Sequence, residues 1–405
     1  MLFESDVGIG IPETVIRVLA KSSIHSVILL ALLSFLPKAV VLTWAVSPDA
    51  SQQSVMTVAG EVRSITCRIE GGLISSYVSV FVMEVRNGSS SLKSAEIIVK
   101  HIGGEVGRTV LWRSDQPYFF VGEFVELVIE PEDQVFKVVG GHIGKVRLDQ
   151  NLQPITQRTA AGYRLIWFRP PSEWQDSTTR PGSDWYGPLR WSSSGLQYWI
   201  NTQAIPPDLS ASSFITYATA SFQTWEDDPG SSFDFTYRGT RTDAAPGMDD
   251  GINLVGWRSI GGGTIAQTWL WASYTPGSYD SLRISETDVE FDNSKLWSAQ
   301  PSGVAGRFDV QNIGTHEAGH TFALGDLYDT EDSEQTMYGY GATGETKKRT
   351  LAWGDEAGIR TLYPFPYTVT FTTSTTTTNS TTLTIYGSTT TVTSQRSTTT
   401  TTDTT

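Results

Sequence analysis

A single cysteine, Cys67, and only five histidines serve a chain of 405 residues. One thiol excludes an intramolecular disulfide framework, so stability must come from packing, with bound metal ions left open as a further source. Cys67 sits in the alternating run Ile65-Thr66-Cys67-Arg68-Ile69, where it reads as a small buried hydrophobe. Basic residues are also short: 29 Lys and Arg stand against 43 Asp and Glu, a formal net charge of −14. No basic cluster offsets that excess, which argues against nucleic acid and against anionic lipid surfaces as partners. Long apolar runs are scarce as well. The notable one, Val27 to Leu36, follows Arg17 and Lys21 and is interrupted by Pro37 and Lys38 before Ala39 to Leu42. This layout reads as a signal or targeting segment over residues 1–46, with cleavage after Ala45, rather than as a membrane span. Glu4, Asp6 and Glu13 make an unusual leader for it, which leaves a start downstream of Met1 open.

What is present suffices for two domains with real cores, since 39% of the residues are hydrophobic. Residues 53–150 read as one small all-β module. Val58 to Val62, Tyr77 to Val85, Glu96 to Val99, Phe124 to Ile129 and Phe136 to Val139 are β-rich runs parted by Gly, Ser or Asn. His101 and His142 lack metal-ligand spacing to anything nearby and read as surface or strand-end residues. From 160 to 366 the pattern changes. Gln197 to Asn201 predicts a strand, and Ser213 to Glu226 a helix, because Phe214, Ala218, Phe222 and Trp225 recur at helical spacing. Phe233, Phe235 and Tyr237 alternate with polar residues; Asp249 to Trp257 turns into another strand, and Ile265–Ser273 and Ile284–Phe291 supply two more.

The chemistry concentrates in His316-Glu317-Ala318-Gly319-His320, an H-E-x-x-H run. Four residues apart on a helix, His316 and His320 offer two imidazoles to one metal ion from one face. Glu317 can reach a water at that metal without being a ligand. Asp309 is a suitable N-cap, with Val310, Ile313 and Phe322 facing a core. Gly325 is placed to end the helix in a left-handed turn that swings Asp326 toward the metal, with Asp329 as the alternative third ligand. Two histidines and a carboxylate leave a fourth position open, as a catalytic zinc site requires.

Gln335-Thr336-Met337-Tyr338-Gly339-Tyr340 follows shortly after, and with it the segment resembles the metzincin metalloproteases, whose long motif precedes a methionine-containing turn. Within them it most resembles the matrixins, with Trp353 to Tyr363 as the closing helix and Asp355, Gly358, Ile359, Leu362 and Tyr363 echoing the pattern. Two positions depart from it: Ala323 replaces a glycine, and Asp326 stands where animal matrixins have a third histidine. No propeptide-type cysteine motif surrounds Cys67. The resemblance implies an α/β zincin-like fold, with a twisted, mostly parallel sheet, an active-site helix and one antiparallel edge strand, for which Ile265 to Ser273 is the candidate. It implies that an extended peptide adds to that edge, that Met337 floors the metal site, and that one catalytic Zn2+ is held by His316, His320 and Asp326. The 53–150 module resembles an OB-like barrel through Gly103 to Gly107, Phe120 to Glu123 and Gly140 to Lys145.

The expected function is thus a secreted or cell-surface zinc metalloendopeptidase acting on protein or peptide substrates, with Glu317 as general base. A surface adhesion protein on an inactive metzincin scaffold is the alternative. Calcium is left open as a second ion by Asp249, Asp250, Glu286, Asp288, Glu290, Asp292 and by Asp329 to Glu334, although none has calcium-loop spacing. Residues 372–405 are more than half threonine, which reads as a disordered or extended stalk for attachment at the cell surface. Asn87-Gly88-Ser89 and Asn379-Ser380-Thr381 are N-glycosylation acceptors. Oligomeric state is not encoded in any of these features.

Overall fold

The computed structural model describes residues 55–154, 163–165, 189–274 and 282–365, together with the backbone pairing of 371–372, 380–385 and 388–393. The targeting segment expected at 1–46 lies outside the described residues. Among the described residues no helix is long and apolar enough to cross a membrane.

The N-terminal region is β-rich, as its alternating runs require. It comprises β1 (Met56–Glu70), β2 (Leu73–Asn87), β3 (Glu96–Ile102), the hairpin β4 (Gly104–Val106) and β5 (Thr109–Arg113), then β6 (Phe124–Glu132), β7 (Val135–Val138) and β8 (Lys145–Leu148). Its main sheet runs β1-β2-β3-β7-β6-β8, and β1 also pairs antiparallel with β6 from Met56↔Ile129 to Glu61↔Phe124. On β6, Val125, Leu127 and Ile129 alternate inward with period two and join Val58, Val80 and Val99 in one core. His101 departs from expectation. It does lie near the end of β3, but it is only 7% exposed, with its ring 5.4 Å from that of Phe119. Cys67 is half-buried and shares a hydrogen bond with Ser76 Oγ at 3.2 Å.

The hairpin β4–β5 leaves this sheet. Gly103 and Gly104 follow β3 at φ 112° and 121°, and a Cβ on Gly104 would collide with Ser76 Oγ and with Cys67 Sγ at 2.8 Å. Only glycine permits this exit, because the backbone is left-handed and packed against the module at once.

A short strand β9 (Arg164–Leu165) precedes the second region, in which β10 (Gly195–Ile200), α1 (Ala211–Glu226), β11 (Asp234–Thr240), β12 (Leu254–Arg258), β13 (Ala266–Ser273) and β14 (Arg283–Asp292) follow in order. Then come β15 (Trp297–Ser298), β16 (Phe308–Asp309), α2 (Val310–His320), β17 (Leu324–Gly325) and α3 (Trp353–Leu362). The sheet order is β11-β10-β12-β14-β13-β5-β4, with the first four strands parallel and the rest antiparallel. Helix α1 is capped by Ser210, whose hydroxyl accepts from Ser213 N at 3.0 Å, and it buries Phe214, Ala218, Phe222 and Trp225. These side chains meet Phe291, Phe322 and Ile313 in the largest core.

One expectation needs correction. Strand β13 is antiparallel, as its place in the order suggested, but it is not an edge: β5 pairs with it from Trp269↔Arg113 to Ser273↔Thr109. The two segments lie far apart in sequence, so nothing local announces the pairing. The threonine-rich tract, expected as a disordered or extended stalk, includes antiparallel pairing between β18 (Phe371–Thr372), β19 (Ser380–Ile385) and β20 (Ser388–Thr393). Threonine is β-branched, and runs of it favour extended pairing once a turn brings them together.

Candidate metal centre

The centre is built on α2, whose first turn is fixed from outside. Asp309 Oδ1 accepts from Asn312 N at 2.8 Å, and the same carboxylate takes Arg349 Nε at 2.8 Å and Nη2 at 2.5 Å. This N-cap satisfies an otherwise orphaned donor of the helix and ties α2 to the segment before α3. Gly319 lets the helix settle on its floor: a Cβ there would overlap Met337 Sδ and come within 2.8 Å of Trp225 Cζ2. Met337, 1% exposed, lies in the core beneath the site.

His316 Nε2 and His320 Nε2 stand 3.2 Å apart, and Asp326 Oδ1 lies 3.0 and 3.5 Å from them. Each ring's other nitrogen is engaged by a carbonyl: His316 Nδ1 with Thr336 O at 2.8 Å, His320 Nδ1 with Leu324 O at 2.7 Å. A carbonyl can only accept, so Nδ1 carries the hydrogen in both rings and each neutral ring turns an Nε2 lone pair inward. Two lone pairs facing each other and a carboxylate repel unless a cation lies between them. Donors about 2.0–2.1 Å from a tetrahedral centre stand roughly 3.3–3.4 Å apart, close to the observed separations. The donor set fits zinc. Among the described residues this is the group of three or more His, Cys, Asp or Glu side chains able to hold an ion.

Residues 190–364 match the family model of the matrixins, the M10 peptidases. Residues 190–364 form a matrixin-like metzincin domain. No curated protein matches the chain.

The methionine turn of the matrixin-like domain is held by α3. Asp355 accepts from Thr336 N at 2.7 Å, Met337 N at 3.0 Å and Ala352 N at 2.9 Å, so one buried carboxylate fixes the turn whose Thr336 carbonyl orients His316. Such outer partners set ring orientation and tautomer at metal sites. The electrostatics follow from burial and from Asp326. Burial opposes charge on Asp326, yet His320 and His316 outweigh it and hold its pKa well below the usual carboxylate range. Burial brings His316 down to about 4; on His320 burial acts the same way, but Asp326 outweighs it and raises the pKa. The two rings share Asp326 and move in opposite directions.

Glu317 is 4% exposed, and burial pushes its carboxyl up to about 7 against the pull of His320 and a hydrogen bond from Thr268. Thr268 Oγ1 donates to Glu317 Oε2 at 2.7 Å from strand β13. Thr268 carried no sequence signal, since a threonine inside an apolar strand looks like any other β-branched residue. In the sequence Asp355 stands out only as part of the closing-helix pattern. Lys348 is a further surprise. It is 2% exposed, donates to the Tyr338 carbonyl, and has its ammonium pulled down to about 8 by burial, against Glu345, Asp326 and Glu317.

Three sequence-level details come out differently. Helix α2 ends at His320, and the left-handed residue beyond it is Ala323 at φ 78°, while Gly325 lies in β17 paired with Arg164. Alanine there carries strain of about 1–2 kcal/mol that glycine would avoid, and the fully buried methyl packs into a neighbouring core. Asp329, the alternative third ligand, precedes a 3-10 turn (Thr330–Asp332) and does not join the donor group. Two acidic side chains of β14 turn to backbone amides: Asp288 accepts from Gly247 N at 2.7 Å and Leu254 N at 2.8 Å, and Glu286 from Asp250 N at 3.2 Å. Those partners account for their burial without calcium. A cavity of about 290 Å³ lined by residues such as Asp208, Trp297 and Arg307 contains no residue of the centre.

Proposed function

We propose that the matrixin-like domain is a zinc-dependent endopeptidase in which His316, His320 and Asp326 hold the metal and Glu317 is the general base. The observation that carries this is the pair of inward Nε2 atoms 3.2 Å apart, beside one carboxylate, with Glu317 next to them on α2. Zinc at this position supplies Lewis-acid polarisation of the attacking water and of the scissile carbonyl. Glu317 takes a proton from the water as its oxygen bonds to the carbonyl carbon. The C–N bond then breaks, and Glu317 returns the proton to the leaving amine nitrogen. Thr268 holds the carboxylate in place for both transfers. Met337 shapes the floor, and Thr336 and Leu324 keep both imidazoles in the tautomer a metal needs.

The wider organisation belongs to the same proposal. A targeting segment at 1–46, an OB-like barrel at 53–150, the peptidase at 160–366 and a threonine-rich tract at 372–405 suit a secreted or surface-attached enzyme. For the barrel, the supporting feature is the return of the strand order from β6 to β1. Metal analysis tests the centre: one zinc per chain is expected, lost on His320→Ala and on Asp326→Ala but retained on Asp329→Ala and Glu317→Ala. Stoichiometric zinc kept after His320→Ala removes the assignment.

A further inference from the structure

An endopeptidase centre has to be reached by an extended polypeptide, and this one is covered. His316, Glu317, His320 and Asp326 are each at most 9% exposed. The cover comes from residues N-terminal to the matrixin-like domain. Strand β13 runs beside the centre, with Thr268 touching Glu317, and without the N-terminal hairpin it would be the free edge of the catalytic sheet. Extended peptides bind sheets by adding a strand at such an edge. Here the addition is already made by β5. Ser114 N donates to Thr268 O at 3.0 Å, Thr268 N donates to Ser114 Oγ at 2.9 Å, and Tyr274 N donates to Arg108 O at 3.3 Å at the far end. Trp112 of β5 lies over the centre, its ring 5.4 Å from that of His320.

Two more contacts reach the same centre. The His142 ring stacks on Tyr328 at 4.9 Å, and the Tyr328 hydroxyl bonds to His142; the charge of Asp326 acts on that hydroxyl. Strand β9 pairs with β17, where Leu165 lies opposite Leu324, whose carbonyl holds His320. Hairpin, turn and short strand thus converge on one buried centre from one side of the sequence.

We propose that the β-rich region is a built-in inhibitor whose β4–β5 hairpin occupies the strand-addition edge of β13, so that the enzyme is latent until the hairpin is displaced. The proposal rests on the peptidase reading for its purpose, not for its geometry. An extended polypeptide substrate and β5 compete for the main chain of Trp269–Ser273, and binding of one excludes the other.

A reversible lock tests it in the full chain. Thr109 and Ser273 are directly opposite, and the bonds at Ser114–Thr268 and Arg108–Tyr274 put them, by alternation, at a non-hydrogen-bonded pair. Such pairs have Cα atoms about 4.5 Å apart, within disulfide reach. The lock is Thr109→Cys with Ser273→Cys in a Cys67→Ser background. Trp112→Ala and Val110→Pro are the opened forms, and if the proline variant fails to fold, Trp112→Ala and the lock still decide. All carry Glu317→Ala, are loaded with zinc, and are titrated with fluorescein-labelled carboxymethylated casein by anisotropy. The oxidised lock should bind at least ~10-fold more weakly than its reduced form, and the opened variants at least ~10-fold more tightly than the parent. Equal binding in every form, or binding in none, overturns the proposal. Restoring Glu317 separates the two readings. Opened forms that bind without cleaving leave occlusion standing and end the peptidase reading; equal cleavage by locked and opened forms does the reverse.

Discussion

Gly319 offers a sharp test of how the metal centre is packed. Replacing it with alanine adds one methyl on α2, and that methyl would overlap Met337 Sδ and sit 2.8 Å from Trp225 Cζ2. Two effects oppose each other. Alanine is favoured over glycine in a helix interior by about 1 kcal/mol. Overpacking a closed core costs about 1–3 kcal/mol, and with Met337 and Trp225 at 1% and 0% exposure neither neighbour has room to retreat. Overpacking wins, so Gly319→Ala should destabilise the chelated protein by up to ~2 kcal/mol. Met337→Ala alone should cost about 2–5 kcal/mol through its cavity. Combined, the methyl at 319 enters the space vacated by sulfur, and Gly319→Ala becomes neutral or stabilising in that background. The coupling energy from urea unfolding of all four proteins in EDTA should then be about 1–3 kcal/mol, favouring the double variant. Additive effects within ~0.5 kcal/mol, or a single Gly319→Ala variant more stable than the parent, would refute the packing argument.

Asp309→Ala removes both the cap of α2 and the carboxylate that pairs with Arg349, which is mostly buried; a loss of about 2–4 kcal/mol is expected in urea. Asp309→Asn, which keeps the cap, should recover part of that loss. His101 gives a pH dependence. Burial, opposed by the Ile102 carbonyl, brings its pKa from 6.5 to about 4, so between those values the unfolded chain binds more protons than the folded one. Stability is therefore full above pH 6.5 and falls as pH drops toward 4, by on the order of 3 kcal/mol. His101→Gln should flatten that decline in unfolding curves taken from pH 7 to pH 4.5, and an unchanged slope would show that another group carries it.

The parts of this fold that could be read in the sequence are those with local signatures. Asp309 before an apolar-periodic run announced the start of α2, the four-residue spacing placed both imidazoles on one face, and the methionine turn with its closing helix carried the matrixin resemblance that the family match bears out. What escaped notice was non-local or set by packing. The addition of β5 to β13 joins segments with no shared period, and only a three-dimensional sheet reveals that the supposed edge is covered. His101 looked like a strand-end polar residue because nothing in its sequence neighbourhood tells of Phe119 packing over it. Thr268 and Lys348 gained importance only through what the fold brings beside them. The left-handed step fell on Ala323 instead of Gly325, where a sequence reader looks for glycine, because burial of the methyl accompanies the strain.

Turnover bears most directly on the central claim. Cleavage of carboxymethylated casein is followed for the zinc-loaded Trp112→Ala protein, with Glu317 intact and with Glu317→Ala. The intact protein should cut the substrate, and Glu317→Ala should reduce turnover by at least ~100-fold while the zinc content stays at one per chain. Equal cleavage by the two proteins would contradict the role of Glu317, and cleavage by neither would leave the domain as a binding scaffold.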